Sequence, residues 1–470
     1  TEFRVSKNEV DFTQASIDGA VFGEVQISHN GNTIYLGSDD SRHANDLNYD
    51  VWTYKALANY SHDKHLFTFG AERQAYDVFN LFIQEAEGEF RFDSIDDFEN
   101  GIVDRLTYEN ASGSNDINDG AGSFTYEINT IYVQDEIEIQ PGMTVTGGIR
   151  YDFYTSGDAP AENANFEATY GFKNTSTLDG LDLVMPRLGF NWETSDNLSI
   201  RAGMGIYSGG NPNVWISNNY TNNGVVLQEY FHDIDFSDPA NAFYPDGGSI
   251  FDANHVADEE GLGRPLYGIP ETAYDYVANN STSGPVNVLD PNFKLPSEFK
   301  AALGFTYNFD LPGFWGQDYT LMGDYLMSDT RDGATVTSIS STQAGTAPDG
   351  RPIYTGAVGF SGDIMLTNAD GGTSQTVSAA LSKSYDDWGI DWTAAYAFTR
   401  ARDANPMTSS TASSNFFNFA TTDPNNVTEA TSNYEIPHRF TAKISWQRAF
   451  FGDNYTRATL FGQAWQNRPF

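Results

Sequence analysis

Residues 182–208 read DLVMPRLGFNWETSDNLSIRAGMGIYS, and their alternation decides the fold. In the first half one register holds Val184, Pro186, Leu188, Phe190 and Trp192; the other holds Met185, Arg187, Gly189, Asn191 and Glu193. After a turn at Thr194-Ser195-Asp196-Asn197, Leu198, Ile200, Ala202, Met204 and Ile206 alternate with Ser199, Arg201, Gly203, Gly205 and Tyr207. A side-chain period of two describes an extended strand with one apolar and one polar face. Each run is about ten residues or more, which is long for a soluble sheet and suits a tilted strand crossing a bilayer.

The same hairpin recurs along the chain. Trp52, Tyr54, Ala56, Ala58 and Tyr60 share a register and turn through Ser61-His62-Asp63-Lys64 into Phe67, Phe69 and Ala71. The hairpin Phe124 to Tyr154 closes at Pro141-Gly142, a specific turn signal. Its first strand changes phase, from Phe124-Tyr126-Ile128 to Val133 and then Ile137-Ile139, which predicts a bulge or the end of the membrane layer. Later hairpins run from Phe299 to Met327, from Val377 to Phe398, and from Phe440 past Tyr455. Near the start, Ser16 to Ser28 reads as the first clear strand and Thr1 to Val10 as part of another.

The connections sort the fold. Short turns, near residues 62, 141, 195, 313, 387 and 452, alternate with long polar excursions, the longest from about Gly209 to Pro296. One excursion carries Ser94 ahead of Asp96, Asp97 and Glu99, a capped helical turn; another, Thr330 to Gly372, has room for a small hairpin at Ile353 to Leu366. Short turns on one side and long loops on the other mark an all-β, transmembrane, antiparallel up-and-down β-barrel, with the turns periplasmic and the loops extracellular. About 13 or 14 strands are legible on this pattern.

Composition agrees. Aromatic residues make up 14% and glycines 43 of 470, as expected where half of each strand faces a polar interior. No apolar run of about 18 residues offers a transmembrane helix. The 64 acidic residues against 25 basic give a net charge of -39, which argues against nucleic acid as a partner. That excess reads first as solvated loops, with Ca²⁺ at acidic loops as the alternative. With no cysteine, disulfides, thiolate catalysis and Cys-bound zinc are excluded. The opening TEFRVSKNEVDF has neither the basic nor the apolar part of a signal peptide.

No zincin, nucleophile-elbow or phosphate-loop motif is present, so an enzyme is not expected. The seven histidines are scattered, and His62 and His65 flank Asp63 in a turn that reads as solvated. Asn115 to Gly120 resembles the opening of a calcium loop without its spacing or its terminal Glu. The polar registers place Arg150, Asp152, Arg187, Glu193, Arg201, Lys300 and Arg439 on the barrel interior, with Lys443, Glu298 and Asp324. They read as an internal salt-bridge lattice, with a substrate path as the alternative. Asn211, Asn213, Trp215 and Tyr220 combine amides with aromatic faces, a mixture suited to peptide or carbohydrate, and are the candidate ligand-binding residues. Trp52, Trp192, Trp388, Trp392 and Trp446 read as interfacial girdle.

Tyr132, Gln134, Asp135 and Glu136, followed across the turn by Gly148, Arg150, Tyr151 and Asp152, resemble the barrel of TonB-dependent outer-membrane receptors. The phrases HANDLN, DVFNLF, FDSIDDFENG, MPRLGFNW, YSGGNPNVW and FGQAWQNRPF are similar to the Oar-like branch, whose members often carry a carboxypeptidase-regulatory-like domain before the plug. The resemblance implies a barrel of about 22 strands in outer-membrane lipid, importing a ligand with energy from the TonB system through a plug. The departures are the plug, the TonB-contacting box and the missing strands, so the chain reads as an internal barrel fragment. Pro469 before the final Phe470 fits that reading, since proline cannot donate to a closing ladder.

Overall fold

The computed structural model describes residues 1–16, 23–210, 213–233, 256–257, 266–280, 284–313, 316–357, 362–452 and 454–468. One antiparallel sheet of 14 strands forms the wall. Its meander runs through β1 (Glu2–Thr13), β2 (Ala44–His62), β3 (His65–Ile83), β4 (Gly122–Gln140), β5 (Met143–Thr155), β6 (Asp182–Ser195), β7 (Leu198–Ser208), β8 (Ser297–Phe309), β9 (Tyr319–Arg331), β10 (Gly372–Tyr385), β11 (Ile390–Asp403), β12 (His438–Phe451) and β13 (Asn454–Trp465). A two-residue strand, Ala430–Thr431, joins β11. Each wall strand pairs with its neighbours in sequence, and among the described residues β1 and β13 leave the sheet open at its two edges.

Each strand has an outer register that exposes apolar side chains. On β6 these are Val184 and Leu188, each 48% exposed, with Pro186, Phe190 and Trp192 between and after them. The pairing Leu188↔Met204 and Met204↔Ala301 continues the band across β7 and β8. Near the short turns the outer face is aromatic: Tyr60, Phe67 and Phe69 stack there, as do Tyr307, Phe309 and Tyr319. Trp52 lies on the same face under the Lys7 ammonium. An exposed apolar belt edged by aromatic rings is the lipid-facing surface of a membrane barrel.

The phase change in β4 is no bulge. Its register against β3 runs unbroken from Ile137 to Gly122, and its one irregularity against β5 lies at Glu138/Gln140, beside the turn. Ile131, Val133 and Ile139 are exposed on the outer register, whereas Phe124, Tyr126 and Ile128 are buried on the inner one. The strand stays straight and its surroundings change sides. Within the membrane the outside is apolar; above it the outside is water and the inside is protein.

What covers that inside is a folded layer built from the long loops. Strands Leu227–Asp233, Arg105–Ala111, Glu89–Phe92, Glu24–His29 and Asn32–Leu36 make a five-stranded sheet from three different loops. Strands Asn287–Leu289, Ile364–Ala369 and Gly333–Ser338 make a second. Five short helices complete the layer: α1 (Ile95–Asn100), α2 (Ala164–Tyr170), α3 (Asn213–Thr221), α4 (Glu271–Asn279) and α5 (Ala412–Phe417). Ser94 caps α1 by accepting from the Asp97 N–H at 3.0 Å, as its spacing predicts.

Two expectations are corrected here. Ser16 to Ser28 is not a wall strand: Glu24–His29 belongs to the five-stranded loop sheet, the wall strand is Glu2–Thr13, and residues 17–22 lie outside the described set. The hairpin expected at Ile353 to Leu366 forms instead between Ser341–Thr346 and Pro352–Gly356, while Ile364–Ala369 pairs with Gly333–Ser338 and Asn287–Leu289. Each half finds an earlier partner within the same loop, and Asn287–Leu289 of another loop adds in parallel to Ile364–Ala369.

The core therefore lies outside the membrane. One cluster joins Phe124, Tyr126, Ile128 and Tyr154 of the wall to Ile216, Tyr220, Leu289, Phe293, Leu366 and Phe416 of the loops. A second, wholly of the loop layer, holds Phe90, Phe92, Leu106, Tyr108, Ile269 and Val277, each fully buried. Burying such side chains contributes about 1.5–3 kcal/mol each, enough in sum to order loops that their polar composition would leave solvated.

Candidate functional site

The inner register carries the charges that the alternation assigned to it, and most are paired. Arg150 Nε lies 2.8 Å from Asp152 Oδ1, and Thr130 Oγ1 donates to the same carboxylate oxygen at 2.7 Å. Arg201 Nη2 reaches Asp324 Oδ1 at 2.5 Å across the intervening strand β8. Lys300 Nζ holds Glu298 Oε2 at 2.7 Å. The Arg187 guanidinium lies over the Tyr207 ring at 4.5 Å. Arg439 donates to Gln463 at 3.0 Å. Glu193 sits at the periplasmic end, its N–H donating to Gly142 O at 2.7 Å. Lys443 lines a small recess with Asp391 and Thr393. Part-exposed pairs of this kind contribute about 0–1 kcal/mol each, so their main effect is to leave the inner wall nearly neutral.

Helix α3 sits against the outer end of this wall. Asn80 of β3 donates to Ser217 Oγ at 2.9 Å, and the Tyr126 hydroxyl donates to Asn213 Oδ1 at 2.5 Å. Tyr220 is buried, stacked on Phe124 with ring centroids 4.3 Å apart, and its hydroxyl donates to Asp158 O at 3.0 Å. The Trp215 indole donates to Ser409 O at 3.0 Å. Of the four candidate ligand-binding residues, Asn213 and Tyr220 thus fasten the helix to the wall. Trp215 lines a cleft, and Asn211 lies outside the described residues.

That cleft, about 380 Å³, opens between α3 and the outer ends of β8 to β11. Trp215, Glu298, Thr330, Ser374, Arg402 and Asn405 line it. Two of its charges are paired, Glu298 with Lys300, and Arg402 with Glu429 at 3.5 Å between side chains and 3.2 Å to the Glu429 carbonyl; Asp403, on the inner register, adds a carboxylate. The rest of the lining includes an indole, hydroxyls, the Asn405 amide and backbone at Gly209, Gly210, Gly371 and Gly372. Arg402, Asn405 and Glu429 carry no motif. Arg402 and Asn405 meet the cleft, with Glu429 paired to Arg402, because β10 and β11 bring distant loop ends together, a juxtaposition that local spacing does not reveal.

A separate acidic set lies in the loop layer. The five-stranded sheet turns Phe90, Leu106 and Tyr108 to its core; the opposite face aligns Glu229 with Glu109, and Glu24 with Glu89. Oxygens of Asp40, Glu85 and Glu89 lie within 4.8 Å of one another. Burial, reinforced by Glu109 and Asp40, pushes the Glu85 carboxyl up to about 9. Burial beside Glu229 pushes Glu109 up to about 8. Asn115, in the stretch resembling a calcium loop, is buried with Oδ1 accepting from the Tyr108 hydroxyl at 3.0 Å, and Asp116 caps a 3₁₀ turn.

Comparison with known proteins agrees with the wall. No curated protein matches the chain. The outer membrane transporter YddB from Escherichia coli superposes with a TM-score of 0.51 at 12% identity, covering 94% of this chain and 46% of that one. A variant of the ferric enterobactin receptor PfeA from Pseudomonas aeruginosa gives 0.47 at 12% identity over 98% and 46%. The copper transporter OprC gives 0.47 at 10% identity over 99% and 50%. The chain spans about half the length of these structures, and at 12% identity the likeness to YddB is one of fold alone. The profile of a family described as outer membrane beta barrel domain matches residues 6–467. The chain belongs to that family, and its place is the outer membrane.

Proposed function

We propose that this chain is the barrel of a TonB-dependent receptor of the Oar-like branch, importing a ligand that its extracellular layer captures. The observation that carries the reading is the cleft beside Trp215, which lies between the folded loop layer and the inner face of the wall. A ligand held there is already on the interior side of the barrel. The paired inner charges, from Arg150–Asp152 to Arg201–Asp324, leave a polar wall without a dominant fixed charge. Indole, hydroxyl and amide groups suit a peptide or a carbohydrate better than a bare ion. A pathway of this kind needs a plug and the TonB system to deliver energy, and both are part of the proposal.

The test is growth of the source bacterium on a peptide digest or on mixed oligosaccharides as sole carbon source. Strains lacking this protein, TonB, or both are compared. Growth that requires both supports import. Growth unchanged by either deletion sinks it, and would favour the second reading, an adhesion or structural barrel whose acidic outer layer contacts partners without transport.

A further inference from the structure

The five-stranded loop sheet ends in an edge that lacks the usual protection. Strand Asn32–Leu36 pairs with Glu24–His29 through a tight turn in which Asn30 and Gly31 both take positive φ, the geometry of a two-residue hairpin. Among the described residues its other side has no partner strand. The sequence NTIYL holds no lysine, arginine or proline, and all five residues are exposed, with Tyr35 at 64%. Sheet edges are ordinarily blunted by charge, proline or cover, because every second residue turns its N–H and C=O outward as a template for another strand. Here the chain leaves such a template on the extracellular side.

The charge around it says what fits. Leu36 lies opposite Val25, next to Glu24, and the chain turns at once into Asp39 and Asp40. Oxygens of Glu24, Asp39 and Asp40 fall within 4.8 Å of one another at that end of the strand, and Arg42 stands 3.9 Å from Asp39. The opposite end, at His29 and Asn32, carries no carboxylate. In an antiparallel pair a second copy of this chain would set His29 and Asn32, and no lysine or arginine, against the acidic end, and its net charge of -39 adds overall repulsion.

We propose that Asn32–Leu36 is a docking edge for an extended segment of a partner protein. The segment adds a strand to this sheet, with lysine or arginine where it passes Glu24, Asp39 and Asp40. Backbone hydrogen bonds supply affinity in this mode, and side-chain complementarity supplies selectivity. The proposal is independent of transport through the barrel.

The probe is a labelled peptide of alternating valine and threonine ending in two lysines, set against the same peptide ending in two glutamates. Both are titrated onto the full-length protein in outer-membrane vesicles. The lysine-ended peptide is expected to bind at least about tenfold more tightly. Thr33 and Tyr35 sit at the non-hydrogen-bonded positions of the hairpin and turn their N–H outward, so Tyr35→Pro, which removes an N–H from the free edge, is expected to weaken it by a similar factor. The double change Asp39→Asn with Asp40→Asn, which leaves the backbone alone, is expected to erase the preference between the peptides. Equal binding of both peptides overturns the proposal, as does absence of binding or indifference to Tyr35→Pro. Self-association abolished by Tyr35→Pro without peptide binding overturns it too, in favour of a second copy.

Discussion

Gly304 lies beneath the Arg201–Asp324 bridge, and its missing side chain is what lets that bridge cross β8. A Cβ there would stand 2.4 Å from Asp324 Oδ1 and 2.9 Å from Arg201 Nε. Gly304→Ala is therefore expected to displace the pair and to lower stability by about 1–3 kcal/mol, as overpacking does. Gly203, one strand away on the same register, would meet nothing closer than Leu188 O at 3.5 Å. Urea unfolding in lipid vesicles checks both: a shifted midpoint is expected for Gly304→Ala and an unchanged one for Gly203→Ala. Equal effects would dismiss the steric account. At the cap of α1, Ser94→Ala removes the acceptor for the Asp97 N–H. It is expected to cost about 1 kcal/mol, visible as faster amide exchange across residues 95–100 and nowhere in the wall.

The β6–β7 hairpin states at the level of an element what the barrel requires. Leu188 is in the middle of the outer apolar register and Asn191 is on the inner one. Leu188→Arg is expected to cost about 2–4 kcal/mol, the penalty for a cation at mid-bilayer on a barrel's lipid face. Asn191→Arg should cost little, because that register faces a polar interior. A membrane-refolding titration that ranked the two the other way would invert the assignment of faces. This alternation was legible in the sequence because lipid and interior impose a strict period of two. In β4 the period was legible and its meaning was not: the apolar set moves from Ile131 and Val133 to Phe124, Tyr126 and Ile128 where protein replaces lipid as the apolar neighbour. The loop sheets were illegible for another reason. Glu24–His29 takes Glu89–Phe92 as a partner in parallel, and Asn287–Leu289 takes Ile364–Ala369. Such pairings follow from where the wall places loop ends, and no local pattern encodes them. The same holds for the cleft: Trp215 stood out as an exposed-looking aromatic in a polar loop, while Arg402 and Glu429 became neighbours only through the fold.

For the molecule as a whole, the consequence is a division of labour between a wall stabilised by the membrane and a layer stabilised by its own core. The two should therefore respond to different variables. The layer carries Glu85 and Glu109, with carboxyls pushed up to about 9 and about 8 from an ordinary value of 4.5. Glu24, Glu89, Glu229 and Asp40 stand near them, opposed by Arg105, 3.3 Å from Glu89, and by Arg91. A carboxyl raised in the folded state stays protonated there while the unfolded chain has already ionised. The folded state then binds more protons, so stability falls as pH rises. The contribution of these groups is full below about pH 4.5 and is lost progressively up to about pH 9. The wall is held by its strand ladders and the surrounding lipid, apart from these carboxyls. Amide exchange in residues 84–111 is accordingly expected to quicken steadily from pH 5 to pH 9 after correction for intrinsic rate, while exchange in β6 and β7 stays flat. Glu85→Gln, which keeps the shape and removes the proton, should flatten much of the slope in the loop layer. If wall and layer instead loosened together, they would be one cooperative unit, and the core outside the membrane would not be holding the layer by itself.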